Sequence, residues 1–266
     1  MSAQPHPAIP TAIWHDVQSR LDRIRAAHDV RLLLAVESGS RAWGFPSPDS
    51  DYDIRFVYVR SRDWYLQLRP GRDVIETAIE DDIDLNGWDI RKALGLLLKS
   101  NAVIGEWIAS PIRYRMPHPI VDRLELLAKA VMDPRGQAHH YASVARNAAD
   151  RWLDGDGPVP VKKYFYALRP ALAIRCLRLQ PSAPPPMHLN ALITAARLPD
   201  AIVGDIAQMV EAKRRAKEAA ETMRITSLDT LIRDELAQIP AIPGGNGVRP
   251  EDMAEADNIF LELVNT

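Results

Sequence analysis

Two short apolar runs joined by a polar turn place the tightest limit on how this chain can fold. Leu32-Leu33-Leu34-Ala35-Val36 is continuous and of strand length, and Ile54-Arg55-Phe56-Val57-Tyr58-Val59 is rich in β-branched and aromatic residues, so both read as strands. Gly39-Ser40 leaves the first run. Pro46-Ser47-Pro48-Asp49-Ser50 then turns the chain into Asp51-Tyr52-Asp53 at the head of the second. Glycine at a strand exit lets the backbone approach a ligand closely, and the amides after it point at an arriving anion. The Ser40 hydroxyl adds one more donor. Residues two apart in a strand share a face, so Asp51 and Asp53 project together while Tyr52 and Ile54 turn to the core. Two carboxylates on one face repel unless a cation lies between them, and oxygen-only ligation suits Mg²⁺ or Mn²⁺. A Gly-Ser turn or a solvated Asp-x-Asp is commonplace alone. The ordered combination on two successive strands points to a phosphate and metal site.

Further acids follow downstream. In Ile83-Asp84-Leu85-Asn86-Gly87 the alternation puts Asp82, Asp84 and Asn86 on one face of a strand and Ile83, Leu85 and Gly87 on the other. Asp89 then precedes a helical pattern with Leu94, Leu97 and Leu98 on its apolar side, as a cap or first-turn acid would. Glu80 and Asp81 read as a solvated edge.

Gly39-Ser40 followed by Asp51 and Asp53 resembles the signature of the DNA polymerase β-like nucleotidyltransferase superfamily. The longer string from Gly39 through Phe45, with Ser47 through Asp53 after it, resembles a narrower bacterial group associated with RNA repair. That likeness extends to Asp84 through Lys92 and Lys162 through Pro170, and covers most of residues 30 to 190. It implies an α/β (α+β) nucleotidyltransferase domain with a small mixed sheet, followed by a helical domain. It also implies a third carboxylate on a neighbouring strand, with Asp84 the first choice, Asp82 the second, and Asp89 left to the helix start. By this resemblance Asp51, Asp53 and Asp84 are the catalytic residues and the ligands of two Mg²⁺ (or Mn²⁺) ions, and Asp84 assists deprotonation of the acceptor. Gly39, Ser40 and Arg41 bind the nucleotide phosphates. The implied reaction moves a nucleoside monophosphate from a nucleoside triphosphate to an acceptor hydroxyl, an RNA end above all, and releases pyrophosphate. The alternative is a non-catalytic RNA- or protein-binding module on the same fold. Degenerate members usually lose an active-site acid, whereas Asp51, Asp53 and Asp84 are all present.

The stretch from Val161 to Arg178 carries two lysines, two tyrosines and three arginines in a helical pattern. Residues three or four apart share a face, so Lys162, Tyr166 and Arg169 can project together, as can Lys163 with Tyr166. Such a face suits a nucleoside triphosphate, with cations on the phosphates and a ring beneath the base. Pro170 predicts a kink or a fresh helix start. His139 and His140 are adjacent, fall on different faces of a helix, and read as packing or capping groups. The single Cys176 lies among apolar residues and reads as a buried small side chain.

At 266 residues, 47% hydrophobic and 26% charged, with a formal net charge of −2, the chain is expected to be a globular protein of one large or two ordinary domains. No run of about 18 apolar residues and no signal pattern is present, so no membrane partner and a cytoplasmic location are expected. Helices are predicted over 11–27, 89–99, 120–132, 136–153, 160–179, 188–196, 199–221 and 249–265, with a short strand at 113–115. Connectors are predicted at 180–186 and 239–247. The expected division is a catalytic domain over 1–118 and a helical nucleotide- and substrate-binding domain over 119–266. The segment from Glu211 to Glu221, Lys213 included, reads as a solvated helix face.

Overall fold

The computed structural model describes residues 4–69, 71–149, 152, 153, 155, 157–215 and 221–266. Its residues group into two compact units, each discontinuous in sequence. The first comprises Met1–Ala42, Asp51–Val131 and Val248–Thr266, the second Trp43–Ser50 and Met132–Gly247.

The first unit is built on a four-stranded mixed sheet, which bears out the expected fold class. Its strands are β1 (Val30–Glu37), β2 (Tyr52–Arg60), β3 (Val74–Glu76) and β4 (Ile83–Asp89), in the order β1-β2-β4-β3. β2 runs antiparallel to β1 and parallel to β4, and β3 closes the edge antiparallel to β4. Alternation along β2 feeds two cores. Ile54, Phe56 and Tyr58 pack with Trp14, Val17, Leu21 and Ile24 of α1 (Thr11–His28), the four apolar positions at helical spacing. Val57 and Val59 face the other way. They pack with helices α4 (Ile90–Leu98), α5 (Ala102–Ala109), α6 (Ile120–Ala130) and α12 (Pro250–Asn265). Two short helices, α2 (Gly39–Trp43) and α3 (Arg62–Tyr65), complete this part of the chain. The 118/119 division expected for catalytic and binding roles falls inside this packing unit, because α6 and α12 both bury apolar residues in its core.

The second unit surrounds one helix, α8 (Val161–Leu179), which is buried on nearly every side. Its long apolar stretch from Ala167 to Ile174, interrupted only by Arg169 and Pro170, makes it an interior helix despite the basic residues near its ends. Against it pack α7 (Pro134–Ala149), α9 (Leu189–Ala196), α10 (Asp200–Arg215) and α11 (Thr226–Ala237). The short strands β5 (Val159–Pro160) and β6 (Glu221–Thr222) pair beside it. Pro170 lies inside α8, which continues through it with no fresh helix start. α11 and β3 were not anticipated from periodicity, and Arg113 makes only an isolated bridge to Val36. Residues 216–220 of the helix expected over 199–221 lie outside the described residues; the described part ends at Arg215.

Lys213 overturns the reading of that helix as merely solvated. Its side chain is buried and its ammonium donates to the Phe45 carbonyl at 3.0 Å, 5.1 Å from the Phe45 ring centroid. Phe45 in turn stacks on Phe165 of α8 at 4.5 Å, and Trp43 meets Tyr166 edge-on at 5.3 Å. Gly44, at φ +90°, is held so close to His188 that a Cβ would lie 2.3 Å from its Nε2. Lys213→Met should therefore destabilise the protein by about 1–3 kcal/mol in urea denaturation, since it strands a buried carbonyl. A change under about 0.5 kcal/mol would return Lys213 to the solvated class.

Among the described residues no helix is long and apolar enough to cross a membrane.

Candidate functional site

Strand register brings two of the expected carboxylates together. Asp53 on β2 and Asp84 on β4 are direct partners across the parallel pair, so their side chains leave the same face side by side. Both reach one nitrogen of Arg55, Nη2 donating to Asp53 Oδ1 at 3.0 Å and to Asp84 Oδ2 at 2.8 Å. The guanidinium is anchored by Nη1, which donates to the carbonyls of Ile54 and Asp84.

Gly39 explains why glycine stands at the strand exit. Its φ is +60°, and a Cβ built there would lie 2.0 Å from Asp53 Oδ2. The Asp53 carboxylate occupies the space that any other residue would fill. Ser38 N–H donates to the Asp53 carbonyl at 2.8 Å, tying the turn to β2. Ser40 is buried in the first turn of α2, and Arg41 lies over the Tyr52 ring at 3.8 Å while donating from Nε to the Asp51 carbonyl at 3.1 Å.

Asp51 precedes β2, which begins at Tyr52, so strand alternation does not extend to it. Its carboxylate is half-buried at the end of the turn. Asp82 sits at φ +60° in the exposed turn ahead of β4 and offers its carbonyl to Tyr52 N–H. Asp89 caps α4, accepting from Arg91 N–H at 2.8 Å and from Tyr65 O–H at 2.8 Å; burial pushes its carboxyl up. Among these acids the one in register with Asp53 is Asp84.

Sequence reasoning passed over Glu37. It ends β1 fully buried, its Oε1 accepting the Asp53 N–H at 2.9 Å and its Oε2 the Tyr114 O–H at 2.6 Å. Burial pushes its carboxyl up to about 7, against the opposing pull of the Tyr114 hydrogen bond. Parity along the apolar run could not have placed it, because β1 carries an irregularity between Leu32 and Leu34, and Leu33 and Ala35 enter different cores. Arg55 was legible, since strand alternation places it on the face of Asp53.

Chemically, the pair Asp53–Asp84 is an oxygen donor set that already converges on a cation, which is what a hard divalent ion requires. Among the described residues no group of three or more His, Cys, Asp or Glu side chains stands close enough to hold a metal, so Asp51 is not gathered with the other two.

The second unit carries the basic residues. Lys162, Lys163 and Tyr166 of α8 line a cavity of about 390 Å³ with Val144, Asn147 and Ala148 of α7. Arg169 does not join them. It is buried, its guanidinium 4.6 Å over the Trp43 ring and donating to the Met187 carbonyl from Nε and Nη2. Cys176 is buried with its Sγ 3.7 Å from the Leu192 carbonyl, and burial pushes its thiol up to about 12, which leaves no thiolate nucleophile at neutral pH.

A small mixed sheet that seats one carboxylate on a Gly-Ser turn and pairs it across parallel strands with a second defines the polymerase β-like nucleotidyltransferase class. Within that class, residues 13–262 match the profile described as RlaP, RNA repair pathway DNA polymerase beta family, and the chain belongs to that family. It is also similar to the uncharacterized protein YcgL of Bacillus subtilis (strain 168), 38% identical over 245 residues that cover 92% of this chain and 94% of that protein.

Proposed function

We propose that this protein transfers a nucleoside monophosphate from a nucleoside triphosphate to the hydroxyl of an RNA end, with release of pyrophosphate. The observation that carries the reading is the seating of Asp53 on Gly39 and its register with Asp84, which supports a preorganised acidic pair beside a phosphate-binding turn. Asp53 and Asp84 would hold Mg²⁺ or Mn²⁺, and Asp51 would complete the set only by moving toward them from the end of the turn. When bound, such ions supply charge stabilisation for an in-line displacement at the α-phosphorus and lower the pKa of the attacking hydroxyl.

The chain's own groups do the rest. Asp84 accepts the proton that the acceptor hydroxyl gives up. The amides of Gly39 and Ser40 and the Arg41 side chain orient the β- and γ-phosphates. In the second unit, taken by itself, Lys162 and Lys163 offer charge to a phosphate or an RNA backbone, and the Tyr166 ring offers a surface on which a base can stack. The cavity they line is within the volume range of small-ligand sites, which supports a bound nucleotide there.

The test is incubation of the protein with each α-labelled nucleoside triphosphate, Mg²⁺ or Mn²⁺, and total RNA. Label in RNA with matching pyrophosphate, abolished by chelator, is the expected result. Label appearing on protein instead would overturn the acceptor, and transfer that survives chelation would overturn the metal. Absence of pyrophosphate release with every nucleotide and acceptor would overturn the enzymatic reading.

A further inference from the structure

We infer that Arg55 is a resident counter-cation for the Asp53–Asp84 pair, a positioning residue that moves to Asn86 when a divalent ion takes its place. This rests on the metal-binding reading above. Three observations meet here. One nitrogen of Arg55 bridges both carboxylates at 3.0 and 2.8 Å, and the three side chains are only 18%, 26% and 27% exposed. Two carboxylates so placed repel strongly without a positive charge between them, so the metal-free site is held in shape by the guanidinium. Finally, Asn86 is the register partner of Arg55 on β4, on the same face, and its Oδ1 is buried with no hydrogen-bond donor.

An orphaned buried acceptor is costly and uncommon. Beside a guanidinium it has a natural use. When a divalent ion neutralises Asp53 and Asp84, Nη2 of Arg55 loses both acceptors and is repelled by the ion. Asn86, its register partner on the same face, carries the unpaired acceptor to which it can turn. Arg55 thus competes with the metal for the carboxylates, and Asn86 lowers the cost of its departure. Metal affinity is set by the balance of the two.

The test uses Mn²⁺ alone, followed by electron paramagnetic resonance of the free ion, and thermal melting of the full chain with and without it. Arg55→Gln removes the competitor, so it should bind Mn²⁺ about tenfold more tightly than wild type. Its metal-free melting temperature should fall, and Mn²⁺ should raise it further than it raises that of wild type. Asn86→Ala should bind Mn²⁺ about threefold more weakly without a lower metal-free melting temperature, since it also removes the orphan. Arg55→Lys, able to meet one carboxylate, should fall between wild type and Arg55→Gln. Equal or weaker Mn²⁺ binding by Arg55→Gln, or unchanged binding by Asn86→Ala with a lowered melting temperature, overturns the inference and leaves Arg55 as a brace between strands. Should Arg55→Gln fail to fold without metal, the Lys and Asn86 variants decide. The metal reading fails separately if wild type binds no more Mn²⁺ than Asp53→Asn does, and the inference then falls with it.

Discussion

Gly39→Ala is expected to reduce nucleotidyl transfer by about 10²-fold or more while leaving the far-ultraviolet spectrum unchanged. The added Cβ would lie 2.0 Å from Asp53 Oδ2 and 2.8 Å from its Cγ. Asp53 has no easy retreat. Its N–H is tied to Glu37, its carbonyl to Ser38 N–H and its carboxylate to Arg55. The alanine must also hold φ near +60°, which costs about 1–2 kcal/mol for a residue with a Cβ. Relief can come only by swinging the carboxylate away from Asp84 or by reshaping the turn, and either separates the acids from the amides of the Gly39 turn. The comparison is Asp53→Asn, which removes the charge and keeps the shape. If both variants lose activity while Asp53→Asn keeps wild-type stability and Gly39→Ala does not, position and charge are both required. Gly39→Ala within about threefold of wild type would remove the seating of Asp53 from the mechanism.

The second large effect concerns stability against pH. Glu37 titrates near 4.5 when solvated and is pushed up to about 7 in the fold. Between those values the folded protein holds a proton that the unfolded chain has released. Stability therefore falls as pH rises through this window, is highest with respect to this group below about 4.5, and is flat again above about 7. The drop amounts to about 3 kcal/mol. Glu37→Gln cannot ionise and retains an amide oxygen for the Asp53 N–H, so urea denaturation at pH 5 and pH 8 should show wild type losing stability relative to the variant. Parallel profiles for the two proteins would mean that Glu37 does not titrate in this range.

The sheet and the carboxylate pair were legible because their logic is periodic. Alternation of two predicts that Asp84 leaves β4 on one face while Ile83 and Leu85 enter the core, and the burial along β4 follows it. What alternation cannot supply is register between strands, and register is what selects Asp84 over Asp82. Glu37 and Lys213 were missed or misread for a shared reason. Charged side chains carry an expectation of solvent that a sequence cannot lift without naming the partner. Here the partners are the Tyr114 hydroxyl and the Phe45 carbonyl, 77 and 168 residues away. Arg169 shows the same limit: helical spacing put it beside Tyr166, yet its guanidinium is spent on the carbonyl of Met187. The roles given to Lys162, Lys163 and Tyr166 stand on chemistry and on the cavity they line, and await the labelling assay.

The interleaved path of the chain has a consequence for when the enzyme can exist during its own synthesis. Ala256, Ile259 and Leu263 of α12 belong to the core on one face of the strands that carry Asp53 and Asp84. A ribosome making this protein emits the acidic pair well before the helix that completes the core behind them. The sheet-bearing unit cannot close its core until α12 is free of the exit tunnel, whereas a unit contiguous in sequence could close sooner. A nascent chain with its Gly39 turn and both carboxylates already emitted still lacks part of the core behind them, and truncation at any point before α12 leaves that core of α4, α5 and α6 incomplete.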